Sequence, residues 1–238
     1  MKEEEIKSNA IKFAKENRKR IAKELTDPKI YKPDRRPISV FMAGSPGAGK
    51  TEFSKNLIST LEKNRRHSVI RIDGDDLRPL IDGYNGNNSH LFQGGVSLIV
   101  EKIHDFALSQ DQSFVLDGTL ANYDKAVHNI KRSLDKKRAV LIFYLYQKPE
   151  IAWGFTQDRE KAEGRNIPKE AFIEQFFGAK DTVSRIHSAY PKEVFIYLVK
   201  KNYEKNTVDE VVEIEPYGKS IDEYVREGYT KYDLENLL

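Results

Sequence analysis

The 238-residue sequence has no cysteine, five histidines, two methionines and one tryptophan. Without cysteine there is no disulfide and no thiolate nucleophile, and five scattered histidines do not make a structural zinc site. No stretch approaches the roughly 18 apolar residues of a membrane helix, and the N-terminal residues lack the apolar core of a secretory signal. These absences indicate a cytoplasmic protein with no membrane partner.

The charge is nearly balanced, with 40 basic and 37 acidic residues and a net charge of +3. Lysines and arginines are scattered along the chain, which argues against a nucleic-acid partner but suits an anionic small molecule. Hydrophobic residues make up 39% of the chain and charged residues 32%, as in a globular protein with a charged surface. The length predicts one α/β domain with a proper core.

One segment fits the phosphate-binding pattern G-x-x-x-x-G-K-[ST]. It consists of Gly44, Ser45, Pro46, Gly47, Ala48, Gly49, Lys50 and Thr51. Glycines let the backbone aim N–H groups at phosphate, Lys50 would reach the β- and γ-phosphates, and Thr51 would hold Mg²⁺. The apolar run 38–43 predicts a strand before the loop, and 51–63 predicts a helix after it. ATP with Mg²⁺ is therefore the expected ligand, and a glycine-rich turn without a ligand is the weaker alternative.

Apolar runs and amphipathic segments alternate beyond this loop. Further strands are predicted at 68–72, 113–116, 139–145 and 194–199, with helices between them. This alternation predicts an α/β fold, a mainly parallel five-stranded sheet with helices on both faces. Together with the phosphate-binding loop, it is typical of a P-loop kinase fold. A short strand at 211–215 and one or two helices are expected to close the chain.

We expect one domain that spans the whole sequence. Its predicted parts are an N-terminal helix and connector (1–36), a kinase core (37–200) with a lid at about 155–168, and a C-terminal extension (201–238).

Carboxylates follow two of the predicted strands. Asp73 and Asp75 come after the second strand, and Asp117 comes after the third, two positions before Thr119. Ligands of such folds lie at the carboxyl ends of the strands. A carboxylate there can orient Mg²⁺ or take the proton of an acceptor hydroxyl. The competing interpretation of residues 73–76 is an ordinary turn with a helix cap.

Arg159 and Arg165 stand where one predicted helix ends and the next begins. Many small-molecule kinases close an arginine-bearing lid over the transferring phosphate, where positive charge stabilises the developing negative charge. A charged, exposed helix would look similar.

Taken together, these segments resemble the zeta toxin family, kinases of bacterial toxin–antitoxin systems that phosphorylate UDP-N-acetylglucosamine. The resemblance runs from about 38 to 189 and rests on the P-loop, 72–75, 117–119 and the lid arginines. It implies catalytic roles for Asp75 as base and for Lys50, Arg159 and Arg165. It also implies that substrate is bound by Asp73, Glu101, Asp117 and Thr119, and Mg²⁺ by Thr51 and Asp117. An antitoxin protein is the implied partner.

The sequence departs from the family pattern at three places. Asp117 stands where the family has glutamate, Ala121 stands where the toxins have arginine, and the lid between Arg159 and Arg165 is shorter. The first change keeps the carboxylate and leaves kinase chemistry intact. The other two leave the identity of the acceptor open.

The leading hypothesis is therefore an ATP-dependent kinase that transfers the γ-phosphoryl group to a hydroxyl of a UDP-N-acetylhexosamine-like acceptor. One alternative is a kinase of the same fold acting on an antibiotic, a nucleoside or a polynucleotide end. Another is a non-catalytic nucleotide-binding switch. The sequence has no N-K-x-D motif for guanine, and a switch gives no clear use to Asp75 and the arginine pair.

Overall fold

The computed structural model describes residues 2–65, 68–164, 166–201, 207–225 and 228–238. Its strands are β1 Ile38–Ala43, β2 Ile70–Asp73, β3 Phe114–Asp117, β4 Ala139–Tyr146, β5 Val194–Lys201 and β6 Val208–Ile214. Its helices are α1 Glu3–Leu25, α2 Lys50–Arg65, α3 Gly74–Leu77, α4 Gln93–Ser109, α5 Tyr123–Asp135, α6 Pro149–Glu163, α7 Lys169–Ala189, α8 Ile221–Tyr224 and α9 Lys231–Leu237.

The strands form a sheet in the order β2-β3-β1-β4-β5-β6. The first five strands are parallel to one another, and β6 pairs antiparallel with β5 at the edge. The predicted α/β fold and its five parallel strands are confirmed. The sheet of the described residues has a sixth strand, because the short strand expected at 211–215 begins at Val208 and joins this edge.

Strand β1 lies at the centre of the sheet, and all six of its residues are buried. Val40 and Met42 belong to a core shared with Phe53 and Leu57 of α2. Phe41 and Ala43 belong to a second core on the other face, which α4, α5 and α7 cover. A parallel strand covered on both faces must be apolar throughout, which is why this run was recognisable.

The N-terminal helix α1 packs along α4. A Cβ atom on Gly95 of α4 would lie 2.6 Å from the carbonyl oxygen of Ala10, so the two backbones are in close contact. None of the helices that the structure describes is long and apolar enough to cross a membrane. The division of the sequence into helix and connector, core, lid and extension stays a prediction.

Strand order brings the predicted site residues that follow β1, β2 and β3 to one edge of the sheet. Because β3 lies between β1 and β2, the segments that follow these three strands are neighbours. Asp73 at the end of β2 is the register partner of Asp117 at the end of β3. The backbone N–H of Gly44 donates to the carbonyl oxygen of Thr119 at 3.1 Å, which ties the P-loop to the segment after β3.

Candidate active site

The P-loop connects β1 to α2 through glycines in left-handed or related conformations. Gly44, Gly47 and Gly49 have φ values of 136°, 72° and 82°. Lys50 begins α2, and its Nζ donates to the carbonyl oxygens of Gly44 at 3.0 Å and Ser45 at 2.6 Å. The ammonium is therefore held across the loop. The first-turn N–H groups of α2 have no partners within the helix and suit an anion.

Gly47 is fixed by contact with α6 as well as by its φ angle. A Cβ atom at this position would lie 2.0 Å from the carbonyl oxygen of Ala152 and 2.9 Å from Oγ1 of Thr156. Only a residue without a side chain fits there. The P-loop and α6, the helix that carries Arg159, are thus in direct backbone contact.

Behind the loop lies a group of carboxylates arranged around one arginine. Arg71 on β2 pairs with Asp73 and Asp76, and its Nη2 donates to Oδ2 of Asp117 at 2.9 Å. The same oxygen of Asp117 accepts from the hydroxyl of Ser54 on α2 at 2.8 Å. Asp117 is almost fully buried, and this arginine supplies the positive charge that its burial requires.

Asp73 has an unusual protonation equilibrium. Burial, together with the neighbouring carboxylates of Asp75 and Asp117, raises the pKa of Asp73 to about 6. The N–H of Asp75 and the charge of Arg71 act in the opposite direction but do not cancel the effect of burial. Oδ1 of Asp73 accepts from the N–H of Asp75 at 2.8 Å, so this side chain caps the short helix α3 and sets the course of the backbone that carries Asp75.

Asp75 is more accessible than Asp73, with side-chain exposures of 33% and 10%. It forms an ion pair with Arg78, three positions along the chain. The Nη2 atom of Arg78 also donates to Oε1 of Gln93 at the start of α4, at 3.1 Å. This chain of contacts gives the Asp75 carboxylate a fixed direction at the edge of the cavity.

Thr51 and Asp117, the residues predicted to hold Mg²⁺, both line the cavity, and their role as ligands stays a prediction. Their oxygen atoms are of the kind that Mg²⁺ prefers, and this ion normally takes one or two protein groups together with phosphates and water. Among the described residues, no group of three or more His, Cys, Asp or Glu side chains could hold a metal ion by itself. The donor set therefore fits an ion that arrives with a phosphate chain.

The lid region carries Arg159 on α6. Its Nε lies 3.6 Å from Oε2 of Glu163, one turn along the helix, and its side chain is partly exposed. Helix α6 ends at Gly164, which has φ 69°. A Cβ atom there would lie 2.9 Å from Oδ1 of Asn87, so the end of the helix contacts the connection between β2 and α4. Arg165 lies outside the described residues, and its predicted role stays a prediction.

These segments surround a cavity of about 770 Å³. The structure brings Lys50, Thr51, Asp73, Asp75, Asp117, Thr119 and Arg159 together in its lining, with Pro46, Gly47 and Gly49 of the P-loop. Gly44, Ser45 and Ala48 lie behind this surface, where Ser45 and Ala48 are buried. The nucleotide end and the acceptor end of the predicted site thus share one space.

Glu101, which was predicted to bind the acceptor, is not among the residues that line the cavity. It is exposed on α4, whereas Ser97, one turn earlier, and Val100 both line the cavity. Its position was taken from a family spacing, which specifies the helix but not the direction of the side chain. The placement of Glu101 at the acceptor does not follow from this geometry.

Four basic residues near the site were not recognised from the sequence: Arg71, Arg78, Lys125 and Lys201. Arg71 had a visible signal, because a charge inside a buried strand requires a partner.

Lys201 ends β5, and its Nζ lies 2.9 Å from where a Cβ of Gly49 would be. Burial lowers the pKa of Lys201, although the charge of Glu52 acts in the opposite direction. Lys125 lines the cavity from α5.

The fold and the phosphate-binding loop define a nucleotide-binding protein of the P-loop kinase class. Comparison with known proteins narrows the class. The family model described as Zeta toxin matches residues 21–211. The chain belongs to the zeta toxin family, as its motifs predicted. No match was found among proteins with curated functions.

Two solved structures show the same fold at low sequence identity. A chain from the PezAT chromosomal toxin–antitoxin system of Streptococcus pneumoniae is 19% identical, with a TM-score of 0.68, over 94% of this chain and 91% of that one. A chain of the AvrRxo1-ORF1:-ORF2 complex with ATP is 14% identical, with a TM-score of 0.59, over 93% of this chain and 70% of that one.

Proposed function

We propose that the protein is an ATP-dependent kinase that phosphorylates a hydroxyl of a UDP-N-acetylhexosamine-like acceptor. The observation that carries this proposal is that the P-loop, Asp75, Thr119 and Arg159 line one and the same cavity. Such a cavity allows a phosphate chain and a hydroxyl acceptor to meet in one space. Membership of the zeta toxin family favours this acceptor class.

The nucleotide would be held mainly by the P-loop backbone. Lys50 would exchange its carbonyl contacts for the β- and γ-phosphate oxygens, since it already lies across the loop. Thr51, with Asp117 nearby, would hold Mg²⁺, which when bound neutralises charge on the phosphates. The AvrRxo1-ORF1:-ORF2 structure with ATP supports ATP as the nucleotide.

Asp75 would accept the proton of the acceptor hydroxyl. It is partly exposed at the cavity, while its partner Arg78 holds it in one direction. Asp73 would position Asp75 through its cap of the α3 backbone and would order the surroundings of the phosphates. Thr119 would contact the acceptor from the segment after β3.

Arg159 would act on the transferring phosphoryl group. It lines the cavity, and its ion pair with Glu163 is long and partly exposed, so the guanidinium can exchange that carboxylate for developing negative charge. Arg165 would supply a second charge from the same lid. The predicted lid and the single-domain organisation belong to this proposal.

The protein partner in this proposal is an antitoxin that keeps the kinase inactive in the cytoplasm. The PezAT chain was solved as part of a toxin–antitoxin system, which supports such a partner.

Mass spectrometry of a nucleotide-sugar and metabolite pool tests this function directly. The pool is incubated with the protein, ATP and Mg²⁺, and we expect a UDP-N-acetylhexosamine to gain a phosphoryl group while ADP forms. The control is Lys50→Ala, which should keep the fold, as judged by thermal unfolding, and lose transfer.

The other outcomes separate the alternatives. Phosphorylation of an antibiotic, a nucleoside or a polynucleotide end instead would assign a different acceptor. ADP formation that never depends on an added acceptor, or none at all, would contradict the kinase and favour a nucleotide-binding switch. Full transfer by Lys50→Ala would overturn the P-loop assignment.

A further inference from the structure

The position at which the toxins have arginine is occupied by Ala121, and the structure shows what surrounds it. A Cβ atom on Gly178 of α7 would lie 2.7 Å from the carbonyl oxygen of Ala121 and 3.1 Å from its Cβ. Helix α7 therefore passes directly over Ala121. This part of the cavity has no cation from the segment after β3, although the neighbouring Thr119 lines it.

Lys125 supplies a cation one helical turn further along the chain. It lies in the first turn of α5 and lines the same cavity. Its Nζ is 3.4 Å from Oγ of Ser97, which lines the cavity from α4. A lysine in the first turn of a helix is unfavourable for the helix, because the N-terminal end already carries partial positive charge. Helix stability therefore does not explain Lys125.

The other basic groups of the cavity lining are engaged. Lys50 is held by P-loop carbonyl oxygens, Arg78 pairs with Asp75, and Arg159 lies near Glu163. Within the ranges that the structure describes, Lys125 has no carboxylate within ion-pair distance, and the hydroxyl of Ser97 is its polar contact. Its exposed ammonium therefore stands at the cavity and can reach an anion bound there.

We propose that Lys125 and Ser97 bind an anionic group of the acceptor, and that this group is the diphosphate of a nucleoside diphosphate derivative. The inference deepens the proposed function and rests on it, since it assigns the charged part of the same acceptor. In this proposal Lys125 supplies, from α5, the positive charge that Ala121 in the segment after β3 does not. An ammonium with a neighbouring hydroxyl and the N-terminal end of α5 suits phosphate oxygens.

The test compares Lys125→Gln with Lys131→Gln, a control that removes an exposed lysine from the same helix outside the cavity lining. The P-loop is first filled with a non-hydrolysable ATP analogue, so that added UDP reports on the acceptor side. Calorimetry gives the affinity for UDP, and steady-state kinetics give KM for UDP-N-acetylglucosamine and for ATP.

We expect Lys125→Gln to weaken UDP binding and raise KM for UDP-N-acetylglucosamine by about ten-fold or more, the effect of losing a charge-assisted hydrogen bond. KM for ATP should not change, and Lys131→Gln should behave as the wild type. If Lys125→Gln binds UDP more weakly but the wild type does not phosphorylate the sugar, the two proposals separate. The binding result would support the subsite, and the missing transfer would contradict the proposed acceptor hydroxyl.

Transfer to a UDP-sugar with equal affinities in all three proteins would overturn the subsite and leave the kinase intact. Transfer only to uncharged acceptors would overturn it as well. A wild-type protein that neither binds UDP nor phosphorylates a UDP-sugar would overturn both the subsite and the proposed acceptor.

Discussion

At the scale of single residues, Asp73 and Asp75 differ in their surroundings although they stand two positions apart. Asp73 is buried against Arg71 and caps the backbone, whereas Asp75 faces the cavity beside Arg78. A general base must reach the proton that it removes, so exposure at the cavity favours Asp75.

Replacing these two carboxylates separately should distinguish the base from its support. We predict that Asp75→Asn binds ATP nearly as the wild type does but lowers kcat by about 10²–10⁴-fold, the usual effect of losing a general base. Asp73→Asn keeps an oxygen that can cap the N–H of Asp75 and should lower kcat less. Acceptor-dependent ADP formation measures both; a larger loss in Asp73→Asn would reverse the assignment.

The raised pKa of Asp73 predicts a pH-dependent stability. The pKa of Asp73 is about 6 in the folded protein and 3.8 for an ordinary aspartate, so between these values the folded state holds a proton that the unfolded state has released. The contribution of Asp73 to the free energy of unfolding therefore falls as pH rises from about 4 to 6 and stays constant above pH 6.

The contribution of Asp73 can be measured by comparing the unfolding free energy of the wild type with that of Asp73→Asn. At pH 7 and above, without metal, we predict that the variant exceeds the wild type in unfolding free energy by about 1–3 kcal/mol, since one pKa unit corresponds to about 1.4 kcal/mol. The difference should vanish near pH 4. Urea unfolding followed by the fluorescence of Trp153 measures it, and a difference that grows toward low pH would contradict the prediction.

The sequence pointed to residues that line this cavity, but it did not indicate which side chains form ion pairs with one another. The carboxylates after β2 and β3 were singled out because ligands lie at the carboxyl ends of parallel strands, and the structure makes Asp73 and Asp117 register partners. Arg71 joins them through a long side chain whose direction depends on the packing around β2. Glu101 shows the same limit, since spacing along α4 does not determine which side chains face the cavity.

At the scale of elements, the P-loop is shaped by α6 as well as by its own glycines. Gly47 and Gly83 both have positive φ angles, 72° and 87°. The two positions differ in the room available for a side chain. A Cβ atom at Gly47 would lie 2.0 Å from the backbone of α6, whereas a Cβ atom at Gly83 would have nothing within 4 Å. Replacing each glycine by alanine therefore distinguishes the cost of a strained backbone from the cost of a collision with a neighbouring helix.

We predict that Gly83→Ala costs about 1–2 kcal/mol, the strain of a left-handed alanine, and leaves ATP affinity unchanged. Gly47→Ala should cost roughly 3 kcal/mol or more and weaken ATP binding, because the loop must separate from α6. Thermal unfolding and nucleotide titration measure the two effects. Equal losses in both variants would mean that the contact with α6 does not constrain the loop.

The elements themselves were largely predictable because their signals are local. Buried strands such as β1 and β4 are continuous apolar runs, and Gly164 and Pro168 mark the break between α6 and α7. The attachment of β6 to the edge of the sheet was not predicted, because this strand is short and mostly exposed and so lacks the continuous buried apolar run that marked the other strands.

At the scale of the whole molecule, the proposed reaction has a consequence for a bacterial cell. UDP-N-acetylhexosamines are precursors of the cell wall, so a kinase that phosphorylates them removes material from wall synthesis. Unregulated activity would then be harmful, which gives an inhibitory partner protein its function. The harm depends on turnover rather than on binding, because a catalyst acts on many acceptor molecules.

We predict that expression of the wild-type protein in bacteria depletes a UDP-N-acetylhexosamine, arrests growth and causes lysis. Lys50→Ala, expressed to the same level, should leave growth and the precursor pool unchanged, because it keeps the fold but cannot stabilise the γ-phosphate. Growth curves and mass spectrometry of the nucleotide-sugar pool measure both effects. Harm caused equally by Lys50→Ala would assign toxicity to binding instead of catalysis.

The toxin function would be contradicted if wild-type protein left growth unaffected and transferred no phosphoryl group to any UDP-sugar in vitro. The protein would then be a kinase whose acceptor is a different hydroxyl compound.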